Sequence, residues 1–233
     1  MSTDHADETT TRVGVADDLL LLLFQPDSGT IAGENTLFYV LAGAVLADLA
    51  ASGHITTEDG PLGQTRVRVS VDTAPDDEIL REAWEYIAEK PRGVQTVLAA
   101  IGPELRAPIL ERLVARGDLR RTKGKVLGFI PTESLEEGDT GRRVDLISGV
   151  RSALVDGSIP DSRTAALAAL LSASGSLPVF DREIPWTSPV IERAKELERG
   201  EWGADAASEA ITRTMTAIVV NSVVATSIIA TRA

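Results

Sequence analysis

The sequence predicts a mainly α fold, a single globular helical domain with a small β-hairpin, and three observations predict it. At least seven segments carry helical apolar spacing or helix-end signals, against about three that read as strands. The chain has 233 residues, 43% of them apolar, enough for one sizeable core. Its 19 Gly and 11 Pro are ordinary globular usage, with no repeat, low-complexity tract or linker that demands a domain boundary.

The acidic, polar start over residues 1–12 (MSTDHADETTTR) lacks the basic and apolar parts of a secretory signal and is expected to be a disordered lead to a domain over 13–233. Val15 to Phe24 (VADDLLLLLF) is too short to span a bilayer, and Asp17-Asp18 sit where a helix dipole favours acids. Gln25 to Gly29 is a turn. A second helix is expected over Asn35–Ser52, with Leu37, Leu41, Ala44, Val45 and Leu49 near the 3.6 period and Gly53 as its stop. Thr65–Val71 alternates as a strand, Val67, Val69 and Val71 on one face. Pro75-Asp-Asp-Glu78 opens a helix that runs to Lys90. Shorter helices are expected over 94–101, 104–116, 143–155, 162–173 and 188–199, with Asp161 and Ser188 at two of the N-termini. The 18 uncharged residues Thr214–Thr231 are weighed as a membrane anchor, but Asn221, Ser222, Thr226 and Ser227 interrupt them and no polybasic flank follows, so a buried core helix is expected.

Composition narrows the chemistry. With no Cys there is no disulfide framework, thiolate metal site or cysteine nucleophile, and His5 and His54 are the only imidazoles. A Cys-free chain suits a reducing, cytoplasmic setting. There is no G-x-S-x-G, P-loop, G-x-G-x-x-G, H-E-x-x-H or EF-hand pattern, so no catalytic residue, cofactor or metal is expected. His54 follows Gly53 at a helix exit, where an imidazole meets free carbonyls. Asp17-Asp18 and Asp76-Asp77 sit at helix starts, and Glu136-Glu137 falls in what reads as a polar loop, Thr132 to Gly141.

The net charge of −12 repels nucleic acid and anionic lipid overall. Within it, Glu104–Lys125 carries seven bases against three acids, a local basic island that either attracts an anionic partner or only solvates one helix face and a hairpin. Residues 104–130 read as an amphipathic helix stopped by Gly117, then a hairpin over 119–129 turning at Thr122-Lys-Gly124. That outline resembles a winged helix, which sets a helix in a groove and a wing on phosphate, although the acidity of the rest of the chain argues against nucleic acid.

The order LLLLLFQPDSG at 19–29, LAGAVLADLAASGHI at 41–55, VDTAPDDEILREAW at 71–84, LERLVARGDLRR at 110–121 and PDSRTAALAALLSASG at 160–175 resembles the Golgi phosphoprotein 3 family in its shorter actinobacterial form. The resemblance covers about residues 13 to 231. It implies a non-enzymatic peripheral membrane protein, at the inner face of the membrane, that binds phosphatidylinositol 4-phosphate. In eukaryotic members it also implies capture of glycosyltransferase tails and oligomerisation through the hairpin.

The family's lipid ligands, a Trp, a helix Arg and two basic residues three apart, fall here on Gly33, Ala42, Pro103 and Arg106. Only Arg106 keeps the family's residue type. Since each charge-assisted bond to a phosphomonoester contributes on the order of 1.5–3 kcal/mol, three departures weaken headgroup selectivity. Arg106, with Arg112, Arg116, Arg120 and Arg121, is the expected headgroup-binding set, drawing on about 1 kcal/mol per base near a charged bilayer. The rival readings are winged-helix DNA binding and a soluble protein adaptor, in a self-assembled form, that has lost the lipid site.

Overall fold

The computed structural model describes residues 13–126, 130–200 and 216–220. At its centre lies α1 (Val15–Leu23), every residue of which is buried. Apart from Asp17 and Asp18 its residues are all apolar, and a helix of that kind has to be enclosed: α1 is walled by α2 (Leu37–Ala51), α4 (Val94–Ala115), α5 (Arg142–Leu154) and α6 (Ser162–Ala173). The periphery is built by α3 (Glu78–Ala88), which buries Ile79, Ala83 and Ile87, and by α7 (Ser188–Glu198), which packs on α6.

Both glycine stops operate as the sequence requires. Gly53 and Gly117 take φ of 74° and 75°, in the left-handed region open to glycine, and turn the chain out of α2 and α4. Asp77 and Asp161 cap α3 and α6 through side-chain oxygens that accept backbone N–H bonds. At α7 the capping position falls on Thr187, and Ser188 is the first helical residue.

Three local expectations are corrected. The separate helices over 94–101 and 104–116 are one 22-residue helix that passes through Pro103 and Pro108. Both prolines are exposed, and so are Ala99 and Glu104, four residues before each, whose carbonyls lose a helical N–H partner. The opposite side of α4 is pressed against α2 so closely that a Cβ on Gly102 would lie 2.5 Å from the Phe38 carbonyl oxygen. Packing along this whole face keeps the helix in one piece.

The second correction concerns the hairpin. No turn forms at Thr122–Gly124, because β6 (Leu119–Val126) runs straight through and pairs antiparallel with β7 (Ile130–Glu137) over eight registers. The alternation of Thr122, Gly124 and Val126 with Lys123 and Lys125 suits an extended strand, and Lys-Gly lacks the strong turn preference of Asn-Gly. Glu136-Glu137 consequently lies in β7 rather than in a loop.

The third concerns short strands. The turn Gln25–Gly29 joins β1 (Phe24–Gln25) to β2 (Thr30–Ile31), while β3 (Ile55–Asp59), β4 (Thr65–Val69) and β5 (Arg92–Gly93) form an antiparallel sheet in that order. Val67 is buried in β4, whereas Val71 lies past its end and is exposed. Of the segment 214–231, residues 216–220 are helical, with Ile218 and Val219 buried. The rest of it, and the lead over 1–12, lie outside the described residues. Among the described residues no helix is long and apolar enough to cross a membrane.

Candidate functional site

The N-terminus of α1, the end of α2, the approach to α3, the second half of α4 and the start of α6 enclose a cleft of about 1040 Å³. Its lining carries five carboxylates, Asp17, Asp48, Asp76, Asp77 and Glu78, against three guanidinium groups, Arg112, Arg116 and Arg163. This cleft decides the fate of two of the expected basic residues. Arg112 donates to both oxygens of Asp77, at 2.7 and 3.1 Å, and reaches Asp17 at 3.5 Å. Burial opposes its charge, but the Asp77 and Asp17 carboxylates outweigh burial and hold its pKa above the ordinary value. Arg116, one turn on, donates from Nε to Asp118 at 3.0 Å and lies 3.4 Å from Asp17.

The other three arginines lie elsewhere. Arg106 is half-exposed on another face of α4 and pairs with Glu34 at 3.1 Å. On the hairpin, Arg120 pairs with Asp139 at 2.6 Å and Arg121 with Glu111. The basic island is therefore divided. Arg112 and Arg116 point into an acidic cleft, and Arg106, Arg120 and Arg121 lie outward, each beside an exposed carboxylate. Strand β6 is further balanced by β7, whose Glu136 stands opposite Arg120 in register.

The loop before α2 and the middle of α4, which the resemblance implies as the two halves of a lipid site, do meet. Glu34, next to Gly33, touches Arg106, and Gly102, next to Pro103, contacts Phe38 at the start of α2. Ala42, however, is fully buried and faces the core. A family model for Golgi phosphoprotein 3 (GPP34) matches residues 15–214, most of the chain.

The chain belongs to the Golgi phosphoprotein 3 family.

A search of curated proteins finds no match. In this Golgi phosphoprotein 3 family member the best-built polar centre is made of residues that sequence reasoning passed over. Asp18 is 1% exposed and accepts from Arg142 Nε at 2.9 Å and Arg163 Nε at 2.8 Å. Asp17 is equally buried, takes the Gly14 N–H at 3.0 Å, and leaves Oδ1 without a hydrogen-bond partner, as Arg116 leaves Nη2. The available signal was an acidic pair opening a run of five leucines, and a lone Asp48 inside the apolar stretch LAGAVLADLAA. The helix dipole alone accounts for two acids at a helix start, so the position of Asp17 and Asp18 carried no sign of a tertiary partner. Ser52 and His54 also reach the cleft, with His54 Nδ1 2.8 Å from Ser52 Oγ. The Ser52 hydroxyl, rather than the expected imidazole, is directed at the carbonyls of Asp48 and Leu49, at 2.8 and 3.1 Å, and His54 reaches the end of α2 only through Ser52.

Proposed function

We propose that this protein is a non-enzymatic, peripheral membrane protein that docks on anionic phospholipid headgroups at the inner face of the membrane through Arg106, Arg120 and Arg121. Family membership over residues 15–214 carries this reading. Placement supports it, since these three side chains are 46%, 52% and 34% exposed. Arg112 and Arg116 serve in this reading by holding α4 against α1 and α3. With Gly33, Ala42 and Pro103 in place of the family's ligands, attraction comes from charge more than from a shaped phosphate pocket.

The test is flotation with vesicles carrying phosphatidylinositol 4-phosphate or phosphatidylserine at matched charge. Binding that falls as salt rises, with less than tenfold preference between the lipids, or about 1.4 kcal/mol, is the expected result. Absence of binding to either lipid overturns it.

A second reading, a soluble protein adaptor that self-assembles through the hairpin, is favoured by one observation. All five arginines already have carboxylate partners, which lowers the positive field available to lipid or DNA. Concentration-dependent assembly without vesicle binding would select it.

A further inference from the structure

Asp48 belongs to α2 yet caps another helix. The first turn of α1 starts at Gly14, which has no side chain to offer, and its leading amides go to Asp48: Val15 N–H donates to Oδ1 at 2.8 Å and Ala16 N–H to Oδ2 at 3.2 Å. Gly14 permits the approach, because a Cβ there would stand 2.7 Å from Asp48 Oδ2. The caps of α3 and α6, by contrast, come from the residue that immediately precedes each helix.

The charges around this carboxylate are uneven. Asp17 on α1 adds a like charge, while its cations Arg112 and Arg116 on α4 are turned toward Asp17, Asp77 and Asp118. Arg163 on α6 attracts Asp48 through space but spends its hydrogen bonds on Asp18 and the Gly14 carbonyl. His54, beyond the end of α2, bonds Ser52, and Asp76 and Glu78 line the cleft near α3. Among the described residues Asp48 has no ion-pair partner, unlike Asp17 and Asp18.

We propose that Asp48 is a proton-operated joint between α1 and α2. As a carboxylate it accepts both leading amides of α1. When one oxygen takes a proton from solvent, that oxygen becomes a donor, the joint keeps one amide bond and gives up the other, and the cleft loses one negative charge. Burial is the largest influence on this group and pushes its pKa up to about 6, against the pull of the Val15 and Ala16 amides and Arg163. A joint with that value changes state just below neutral pH.

Nuclear magnetic resonance on the full chain tests this. The Asp48 carboxyl carbon is expected to titrate with a midpoint near 6, and the Val15 and Ala16 amide protons to follow it with the same midpoint. Asp48→Asn removes the amide titration, and His54→Gln leaves it in place. A carboxyl midpoint in the ordinary aspartate range near 4, or amides that stay fixed while Asp48 titrates, overturns the proposal. So does an amide titration that survives Asp48→Asn and vanishes in His54→Gln. The carboxyl and amide readings are made on the unaltered protein, so a variant that fails to fold does not remove the test.

Discussion

Asp18 on α1 accepts a hydrogen bond from Arg163 Nε on α6 at 2.8 Å, joining residues 145 positions apart in the chain. Its other oxygen takes Arg142 of α5 at 2.9 Å, so one carboxylate ties the buried helix to two of its walls.

Asp18→Ala leaves two guanidinium groups at the edge of the core without their counter-charge. Removing one member of a buried charged set costs about 3–5 kcal/mol, and urea unfolding should show a loss of that size. Arg163→Ala should cost less, because Arg163 is partly exposed and Asp18 keeps Arg142. A loss under about 1 kcal/mol for Asp18→Ala would show the set to be dispensable.

Two glycine-to-alanine changes should act in opposite directions. At Gly138 a Cβ would fall 1.7 Å from the Gly117 carbonyl oxygen, where the end of the hairpin crosses the exit of α4. Backbone must move, so Gly138→Ala should destabilise by about 1–3 kcal/mol. Gly149 lies inside α5 with nothing nearer than Thr164 Cγ2 at 3.8 Å, and Gly149→Ala should stabilise by about 0.5–1 kcal/mol through helix propensity. Thermal melts of the two variants give the comparison.

The raised pKa of Asp48 fixes the sign of a pH effect. Between the ordinary aspartate value of 3.8 and about 6 the folded chain holds a proton that the unfolded chain has released, so stability from this group falls as pH rises through that window. Asp48 keeps some solvent contact at the cleft wall, which limits the effect to about 1–3 kcal/mol. The stability difference between the natural chain and Asp48→Asn, which cancels every other titrating group, should therefore favour the natural chain more at pH 4.5 than at pH 7.5, by about that amount. A difference independent of pH would contradict it.

Glu34→Gln removes the partner of Arg106 and one negative charge from the proposed docking face. Vesicle binding should strengthen by about 1 kcal/mol, roughly fivefold, and Arg106→Ala, Arg120→Ala and Arg121→Ala should each weaken it by about the same amount. Arg112→Ala should instead lower the melting temperature, because Arg112 serves Asp77 and Asp17 inside the cleft. Weaker lipid binding without loss of stability in Arg112→Ala would place that residue on the membrane face.

The mainly helical class, most helix positions, the two glycine stops, the caps at Asp77 and Asp161, and the family were all legible in the sequence. These depend on neighbours within a turn or two, or on the order of segments, and both are written along the chain. The continuation of α4 through Pro103 and Pro108 came from the fold, because what holds the helix together is a long face packed on α2. The fold alone divided the basic island: Arg112 and Arg106 are six residues apart on one helix, but one meets Asp17 and Asp77 in the cleft and the other meets Glu34 outside. Asp17 and Asp18 read as ordinary helix-start acids and Asp48 carried no local sign of its partners; apart from the Gly14 N–H that Asp17 accepts, the partners of the three lie 32 to 145 residues away, where local spacing has no reach. Burial turns such distant charge pairs from surface decoration into constraints, since a carboxylate withdrawn from water has to be answered by a cation or by backbone N–H groups brought to it by the fold.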